Sequence, residues 1–381
     1  MKKTLLTPLV LALCAGTLHC DSDDKPNPKL RVGMLHWAAY GPLNVADAKG
    51  LWKAEGVDVE IVNRISNQEL NADLTSGRID VALDMMGSWV GLHIAGTPLK
   101  IIGETDWSYG GDQVIAKKTL DRSKLKGQEV AIYLDQPSVT FFLGKYLETI
   151  GEGAATLKLA DVSIKELETK AIADAFAAGT YQLTVNYEPE SAKQLEDTAQ
   201  GEKVATSASP GFEGVIPEGF VGRADILAKV ERTTLKKFIK GWQKAVSWVY
   251  ADADARVVDE AHWAEYADIL RTKTFEGDRT SDNPYTDQEL RQFVSNVKVH
   301  GANQQLCVNG PAAGTALKAS TAAAPQPLRD YLNELKAFLE VEGKLAGANP
   351  ALTDFTNDAS GIFDNSVVVE ALTEMGATCN R

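Results

Sequence analysis

The chain has 381 residues, and its 52 acidic side chains exceed its 39 lysines and arginines, which gives a net charge of −13. No long basic run occurs, which argues against nucleic acid as a partner and against general adsorption to anionic membranes, because both need clustered positive charge. A hydrophobic fraction of 44% and a charged fraction of 24% are ordinary for a soluble globular protein, and the length favours two domains.

The N-terminus has the layout of a secretory signal. Two lysines precede an apolar run from Leu5 to Ala15, which is too short to span a bilayer, and a polar stretch begins after Cys20. We therefore assign residues 1–20 to a signal peptide and residues 21–29 to a tether.

The same segment resembles a bacterial lipoprotein signal, in which a cysteine becomes the lipidated first residue of the mature protein. Cys20 is the favoured residue because an acidic, proline-containing tether follows it directly. Cys14 is the alternative, since Leu18 and His19 are larger than the residues that usually precede the lipidated cysteine. A plain signal peptide that releases a soluble protein stays open as well. The resemblance implies a periplasmic or cell-surface location in a bacterium, with a lipid as the only membrane attachment.

Two cysteines remain outside this segment, Cys307 and Cys379. In an exported protein such a pair suggests a disulfide, with two buried free thiols as the alternative. No Cys-x-x-Cys motif and no Cys/His cluster at zinc spacing occurs, and the five histidines are scattered. We therefore expect neither a metal nor a cofactor.

Residues 31–62 are predicted to form a strand, a loop, a helix and a second strand. The loop at 36–42 is aromatic and ends in Gly-Pro, which suits the first turn of a helix. Residues 57–61 alternate apolar and acidic side chains, as a strand does. Ligands of open α/β sheets bind at the carboxyl ends of strands, so Trp37 and Tyr40 in this loop are the first candidate site residues.

Strands and helices then alternate at short spacing, which predicts a parallel sheet with right-handed crossovers. Strands are predicted at 79–83 and 99–103, with a helix over 88–95 between them. A strand at 113–116 is predicted to cross into a second lobe, and residues 215–222 are predicted to return.

The second lobe repeats this alternation. It has predicted strands at 129–133, 157–162 and 182–185, and predicted helices from 137 to 150 and from 163 to 178. From residue 224 onward the pattern is mostly helical, with predicted helices at 233–250, 257–271, 288–297, 328–342 and 367–375 and a loop at 302–327 that is rich in Ala, Gly and Pro.

A set of short motifs follows this layout in order. They are Gly-Pro-Leu at 41–43, Lys-Gly-Leu-Trp at 49–52, Gly-Val-Asp-Val-Glu-Ile-Val at 56–62, Leu-Thr-Ser-Gly-Arg-Ile-Asp-Val-Ala at 74–82, Gly-Asp-Gln-Val-Ile at 111–115, Leu-Lys-Gly-Gln-Glu-Val-Ala at 125–131 and Asn-Tyr-Glu-Pro at 186–189. Together they resemble the periplasmic substrate-binding proteins of ABC importers, specifically the nitrate/sulfonate/taurine and thiamine-precursor group. The resemblance covers about residues 30–250, and the order and spacing of the motifs carry it.

This resemblance implies an α/β fold of the type II periplasmic-binding-protein kind, with two lobes, two crossing hinge strands and a helical C-terminal region. Lobe one would comprise residues 30–112 and 220–381, and lobe two residues 113–219. The implied function is capture of a small solute in the cleft between the lobes, without catalysis, and its delivery to an ABC importer permease. The protein would act as a monomer.

The candidate ligand-binding residues lie in loops at predicted strand ends or at helix starts that face the cleft. The aromatic residues would wall a small ligand, and the hydroxyls and carboxyls would bond to it. Packing, helix capping and hinge hydrogen bonding are the structural alternatives, and a structural role is favoured for His36. The candidates are Trp37, Tyr40, Asp84, Met85, Ser88, Trp107, Asp112, Asp135, Ser138, Asn186 and Glu188.

The predicted rim of the cleft is acidic. It carries Asp84, Glu104, Asp106, Asp112, Asp135 and Glu188, with no Arg or Lys beside them. A carboxylate in an aromatic cleft suits an amine, an amidine or an aminopyrimidine, whereas a sulfonate or nitrate site would show basic side chains or bare helix N-termini. We therefore expect a small nitrogen-containing ligand.

Three alternatives stay open. The first is binding of a sulfonate, taurine or nitrate. The second is a ligand sensor that docks to a membrane receptor. The third is an enzyme of the pyrimidine-synthase-like group, which depends on a cysteine-rich stretch, and the absence of cysteine between Cys20 and Cys307 argues against it.

Overall fold

The computed structural model describes residues 28–151, 156–196, 199–252, 257–310, 328–342 and 362–379. The predicted signal and Cys20 lie outside the described residues. None of the described helices is long and apolar enough to cross a membrane.

Six strands form the first sheet: β1 (Lys29–Leu35), β2 (Asp58–Arg64), β3 (Val81–Met85), β4 (Leu99–Ser108), β10 (Pro217–Arg223) and β13 (Val297–Val299). Their spatial order is β13-β4-β10-β3-β1-β2. Strands β1, β2 and β3 are parallel, as predicted, and β10 runs antiparallel between β3 and β4. The carboxyl ends of β1 and β3 therefore meet the start of β10 at one edge of the sheet.

Five strands form the second sheet: β5 (Asp112–Lys117), β6 (Glu129–Ile132), β7 (Ser163–Glu166), β8 (Leu183–Tyr187) and β9 (Gly201–Thr206). Their spatial order is β7-β6-β8-β5-β9. The prediction of a strand at 157–162 is wrong, because Leu159–Asp161 forms a 3-10 turn in which the Asp161 side chain accepts a hydrogen bond from the Lys158 N–H. The strand therefore follows at β7, and β9 had no predicted counterpart.

The chain passes between the two sheets twice. It leaves the first sheet after Ser108 and returns after Thr206. The two crossing segments are bonded side by side, since the hydroxyl oxygens of Ser108 and Ser207 are 2.8 Å apart and the Gly110 N–H donates to Ser207. The predicted fold class, two α/β lobes joined by two crossings, is confirmed.

Helices cover both sheets. They are α1 (Gly41–Ala48), α2 (Leu51–Glu55), α3 (Asn67–Ser76), α4 (Met86–Ile94), α5 (Pro137–Glu148), α6 (Thr169–Ala177), α7 (Glu190–Glu196), α8 (Ala224–Leu227), α9 (Arg232–Val249), α10 (Trp263–Ile269), α11 (Asp287–Ser295), α12 (Ala302–Asn309), α13 (Leu328–Val341) and α14 (Ser366–Glu374), and a short ribbon pairs β11 (Tyr250–Asp252) with β12 (Val257–Val258). The amphipathic α9 buries Phe238 and Trp242, and Trp52 of α2 stacks on Phe238 at 5.6 Å.

Two predictions for the C-terminal region are wrong. The helix predicted from residue 257 begins only at α10, because Val257 and Val258 pair with β11. Residues 302–309, predicted as loop, form α12, whose Gln305 and Asn309 side chains donate hydrogen bonds to the Glu104 carbonyl. These long-range hydrogen bonds stabilise a helix that the local composition does not favour.

The C-terminal region is bound to both lobes. A disulfide joins Cys307 of α12 to Cys379, as predicted, so the alternative of two free thiols is wrong. Helix α14 packs on α9 of the first lobe, through ion pairs such as Lys236–Glu370. Helix α13 lies on α5 of the second lobe, where Phe338 packs edge-to-face on Phe141 at 5.3 Å.

Candidate functional site

A cavity lies between the two sheets, at the carboxyl ends of β1, β3 and β8. Its volume is about 30 Å³, which is room for about two water molecules, so the lobes are closed on each other and a larger ligand must part them. The lining residues are Leu35, His36, Trp37, Tyr40, Asn67, Asp84, Met85, Asp112, Tyr133, Tyr187 and Glu218.

An aromatic wall crosses the cavity from one lobe to the other. Trp37 from the loop after β1 meets Tyr187 at the end of β8 edge-to-face, with ring centroids 5.9 Å apart. Tyr187 in turn meets Tyr133 of the second lobe at 4.7 Å. A Cβ atom at Gly111 would lie 2.2 Å from the Trp37 ring, so only glycine lets the crossing segment pass this close. The Trp37 indole N–H is buried and has no hydrogen-bond partner among the described residues.

Asp84 projects into the cavity from the end of β3. Its side chain is 2% exposed and accepts a hydrogen bond of 2.7 Å from the Asn67 amide. Burial raises the pKa of Asp84 to about 7, against the hydrogen bonds from Met85 and Asn67, which lower it.

Asp112 faces the cavity from the start of β5. It accepts a hydrogen bond of 2.5 Å from the Tyr133 hydroxyl and lies beside the Ser108 hydroxyl, and both bonds lower its pKa. Burial outweighs them and raises the pKa of Asp112 to about 6. The Tyr133 hydroxyl also lies 3.4 Å from the Met85 sulfur, so this group touches both lobes.

Glu218 is the third acid of the cavity, near the start of β10. Its side chain bonds to Asp106 of the neighbouring strand and to the Tyr40 hydroxyl. Burial, followed by the Asp106 charge, raises the pKa of Glu218 well above its ordinary value, and burial raises that of Asp106 to about 6. When both groups are counted as carboxylates, one buried oxygen of each, Oε2 of Glu218 and Oδ1 of Asp106, has no hydrogen-bond donor among the described residues.

The cavity therefore combines three carboxyl groups with four aromatic rings. None of the residues that line it is an arginine or a lysine. The nearest basic group is His36 at the rim, whose Nδ1 lies 2.5 Å from the Asp278 carboxylate. Such a surface attracts a positively charged, nitrogen-rich group and repels an anion.

Five of the predicted site residues line this cavity, namely Trp37, Tyr40, Asp84, Met85 and Asp112. The other six lie outside it. Ser138 accepts a hydrogen bond from the Ser88 N–H across the two lobes, and Trp107 donates to Glu104. Asp135 is exposed. Asn186 bonds to Gln194, and Glu188 accepts from Gln113.

Sequence reasoning missed Leu35, Asn67, Tyr133, Tyr187 and Glu218. Tyr187 could have been predicted, because side chains alternate between the two faces of a strand. The predicted residues Asn186 and Glu188 are the positions on either side of it. Glu218 carries no local signal, since it reaches the cavity only through the return of the chain from the second lobe.

Comparison with known proteins places the chain in a family. The family model described as NMT1/THI5 like matches residues 37–255, which is more than half of the chain. YtlA of Bacillus subtilis strain 168, whose name describes it as a binding protein, is 27% identical over 238 residues. That match covers 58% of this chain and 66% of YtlA, just under two thirds of its length.

Solved structures share the fold at low identity. The periplasmic nitrate-binding protein NrtA from Synechocystis PCC 6803 has a TM-score of 0.62 at 16% identity, over 91% of this chain and 89% of that one. The periplasmic aliphatic sulphonate binding protein SsuA from Escherichia coli has a TM-score of 0.58 at 12% identity, over 85% of this chain and 89% of that one. The two-lobed fold is therefore that of the periplasmic binding proteins, and the chain belongs to the NMT1/THI5-like family.

Proposed function

We propose that this protein captures a small solute between its lobes and delivers it to an ABC importer, without catalysing a reaction. The single observation that carries the proposal is the cavity, which draws its lining from both lobes. Family membership and the likeness to proteins named as nitrate-binding and sulphonate-binding support the same role.

The ligand we propose is small, nitrogen-containing and positively charged or able to become so. Asp84, Asp112 and Glu218 line the cavity without a basic partner, so a nitrate or sulfonate would add a negative charge to buried acids. Burying such a charge without a counter-ion is strongly unfavourable. An ammonium, amidinium or aminopyrimidine group would instead form charge-assisted hydrogen bonds with these acids and lie against the aromatic wall.

The hydrogen-bonding groups of the cavity that lack a partner narrow the class of ligand further. The Trp37 indole N–H needs an acceptor, whereas Oε2 of Glu218 needs a donor. A planar group with a ring nitrogen beside an amine offers both. An aminopyrimidine therefore satisfies more of the cavity than a simple alkylamine.

Thermal denaturation with a panel of solutes tests the proposal. The panel contains 4-aminopyrimidine, acetamidinium, imidazole, taurine, ethanesulfonate and nitrate. A cognate ligand at about 100 times its Kd should stabilise the folded protein by about 2.7 kcal/mol and change tryptophan emission. We expect the nitrogen bases to do this and the anions to fail. A response to the anions alone would overturn the ligand class, and no response from any solute would count against capture itself.

Trp37→Phe sharpens this experiment, because it keeps a ring and removes the indole N–H. We expect it to weaken 4-aminopyrimidine binding about tenfold, the effect of one hydrogen bond. Trp248→Phe is the matched control, since Trp248 stacks on His262 outside the cavity. Equal losses in both variants would contradict a ligand contact by Trp37.

We also propose that the protein is exported and held at the membrane by a lipid on Cys20. The support is the sequence alone. Mass spectrometry of the N-terminal peptide should find the lipid on Cys20, and Cys20→Ser should move the protein from the membrane fraction to the soluble one. A lipid on Cys14, or no lipid, would overturn this assignment.

A further inference from the structure

Glu218 and Asp106 form a carboxyl pair with a more specific role than general attraction of a positively charged ligand. This inference rests on the proposed capture of a cation. We propose that Glu218, positioned by Asp106, sets the preference for positively charged ligands, and that the pair shares a proton which leaves when a cation binds.

The strand register brings the two acids together. Glu218 of β10 is the direct partner of Asp106 of the antiparallel β4, and both side chains are buried, at 3% and 0% exposure. Their carboxyl groups are hydrogen-bonded to each other. Two carboxylates have only acceptors, so this bond exists only if one of the pair keeps its proton.

A β-bulge fixes Asp106 in place. The register of β10 against β4 shifts between Glu218 and Gly219, which leaves Thr105 without an opposite partner. The Thr105 hydroxyl donates a hydrogen bond of 2.7 Å to Asp106. Asp106 is thereby held behind Glu218, and Glu218 is the member of the pair that reaches the cavity.

Tyrosines, histidines and further acids surround the carboxyl pair. Tyr40 bonds to Glu218, while Asp84 and Asp112 face the same cavity. Tyr133 donates to Asp112, and Tyr187 lines the same wall. On the other side of β4, Glu104 lies with Trp107 and His300. His36, at the cavity rim, is paired with Asp278.

No arginine or lysine of the described residues lines the cavity, so no positive charge there balances the pair. In the absence of ligand, the proton shared by the two acids supplies the balancing positive charge. Without that proton one oxygen of each acid has no donor among the described residues, and Oε2 of Glu218 is the one on the residue that lines the cavity. A ligand that brings both a donor and a positive charge would satisfy it.

The exchange conserves charge. Before binding, the pair consists of one carboxylic acid and one carboxylate. The cation places its N–H groups on Glu218, the shared O–H bond breaks, and the proton leaves to solvent, so that both acids are ionised beside one ligand charge. The net charge of the site is the same before and after, which avoids an unbalanced buried charge at either stage. A neutral ligand of the same shape gains nothing from this exchange.

The resting proton can be tested without any ligand. Infrared difference spectra of the purified protein, recorded as the pH is raised, should show a protonated carboxyl that persists above pH 6. The part of this band that belongs to the shared proton should disappear in both Glu218→Gln and Asp106→Asn, because either change removes the partner that shares it, while the absorption of Asp84 and Glu104 should remain. It should persist in Glu231→Gln, a matched control at an exposed acid. A wild-type protein fully ionised at pH 5 would overturn the inference, whatever the protein binds.

Calorimetry with acetamidinium, which keeps its charge throughout the range, tests the exchange. Titrations at pH 6.5 in buffers of different ionisation enthalpy should show release of about one proton per ligand, and Kd should fall about tenfold from pH 5 to pH 6. Glu218→Gln should abolish the release and weaken binding at least about tenfold, and Glu231→Gln should change neither. Binding without proton release would overturn the inference. Failure of acetamidinium to bind, with the infrared band present, would count against the proposed ligand class and not against the resting proton.

Discussion

Glu104 and Asp106 stand two residues apart on β4, and both are fully buried, yet their surroundings differ. Glu104 accepts a hydrogen bond of 2.5 Å from the Trp107 indole, its Oε1 lies 2.9 Å from Nε2 of His300, and its backbone bonds to Asn309. We call these residues the Glu104 cluster. Asp106 instead meets another acid, Glu218, and together with Asp84 and Asp112 they form what we call the cavity cluster.

The difference teaches how to tell a structural acid from a binding one. The Glu104 cluster is bonded within the protein, to Trp107 of β4, to His300 directly after β13, and to α12. The cavity cluster is bonded to hydroxyls, an amide and its own members, and it opens onto a space between two lobes. Both clusters include a glutamate oxygen without a hydrogen-bond partner among the described residues, Oε2 of Glu104 and Oε2 of Glu218, but of these two residues only Glu218 lines the cavity. Buried polar groups are almost always hydrogen-bonded in native proteins, so an unpaired oxygen beside a cavity indicates a missing ligand.

The largest expected effect is on the free energy of unfolding, which should respond differently to substitutions in the Glu104 cluster and in the cavity cluster. Glu104→Leu leaves the buried Trp107 and His300 groups without their acceptor, and we expect it to lower the free energy of unfolding by about 3–5 kcal/mol. Glu218→Gln keeps a polar group whose amide can still donate a hydrogen bond to Asp106, so we expect a loss of less than about 1 kcal/mol. Urea denaturation at pH 7.5 measures both.

Glu104→Gln is the matched control, because it retains an oxygen acceptor and should cost less than the leucine variant. If Glu218→Gln proved as destabilising as Glu104→Leu, the distinction between the clusters would fail.

The next effect concerns the disulfide, which ties α12 to the chain terminus beside the Glu104 cluster. Cys307→Ser with Cys379→Ser should lower the free energy of unfolding by about 2–4 kcal/mol, through the added freedom of the unfolded chain. Hydrogen exchange should accelerate at the Glu104 amide, which donates to Asn309 of α12. The band of the shared carboxyl proton should stay as in wild type. A change in that band would show that the clusters are coupled.

The pH dependence of stability is expected to be of intermediate size. Burial raises the pKa of Asp84 to about 7 and those of Asp106 and Asp112 to about 6, above their unfolded values near 3.9. Between about pH 4 and 7 the native state thus holds protons that the unfolded chain has lost, so stability falls as pH rises. The raised pKa of Asp84 alone corresponds to a decrease of about 2.5 kcal/mol from pH 5 to pH 7.5.

Urea titrations across this range measure the slope. The acids of lowered pKa, such as Glu374 near 2, are ionised throughout and leave it unchanged. Glu104, whose pKa burial also raises, acts in the same direction. Saturation with a cationic ligand should therefore remove only the part of the pH dependence of stability that comes from the cavity cluster. Asp84→Asn should reduce that same part. Stability that rose with pH over this range would contradict the raised pKa values.

The smallest effect concerns one hydroxyl. Tyr133→Phe removes the donor to Asp112, and we expect a loss of about 1 kcal/mol in stability and about a fivefold weaker affinity for 4-aminopyrimidine. Tyr146→Phe is the control, because its buried hydroxyl has no hydrogen-bond partner among the described residues. An unchanged affinity in Tyr133→Phe would remove Asp112 from the binding surface.

The sequence predicted what local patterns encode. The first strands, the crossings and the loop with Trp37 follow from periodicity, glycine and proline, and Asp84 and Asp112 were found because they stand where predicted strands end or begin. Glu218 was missed because its place depends on the antiparallel return of β10. Helix α12 was missed because the acceptor of its side-chain hydrogen bonds, the Glu104 carbonyl, lies some 200 residues away in the chain.

The edge strand β13 has a practical consequence for anyone who trims this protein. It pairs with β4 and is followed at once by His300, yet it lies beyond residue 255, where the family match ends. A fragment cut at that point would present β4 as a bare edge and leave Glu104 buried without its imidazole. Exposed edges of this kind recruit other chains. Such a fragment should therefore accumulate as aggregate, and a stable shortened protein needs the chain through Cys379.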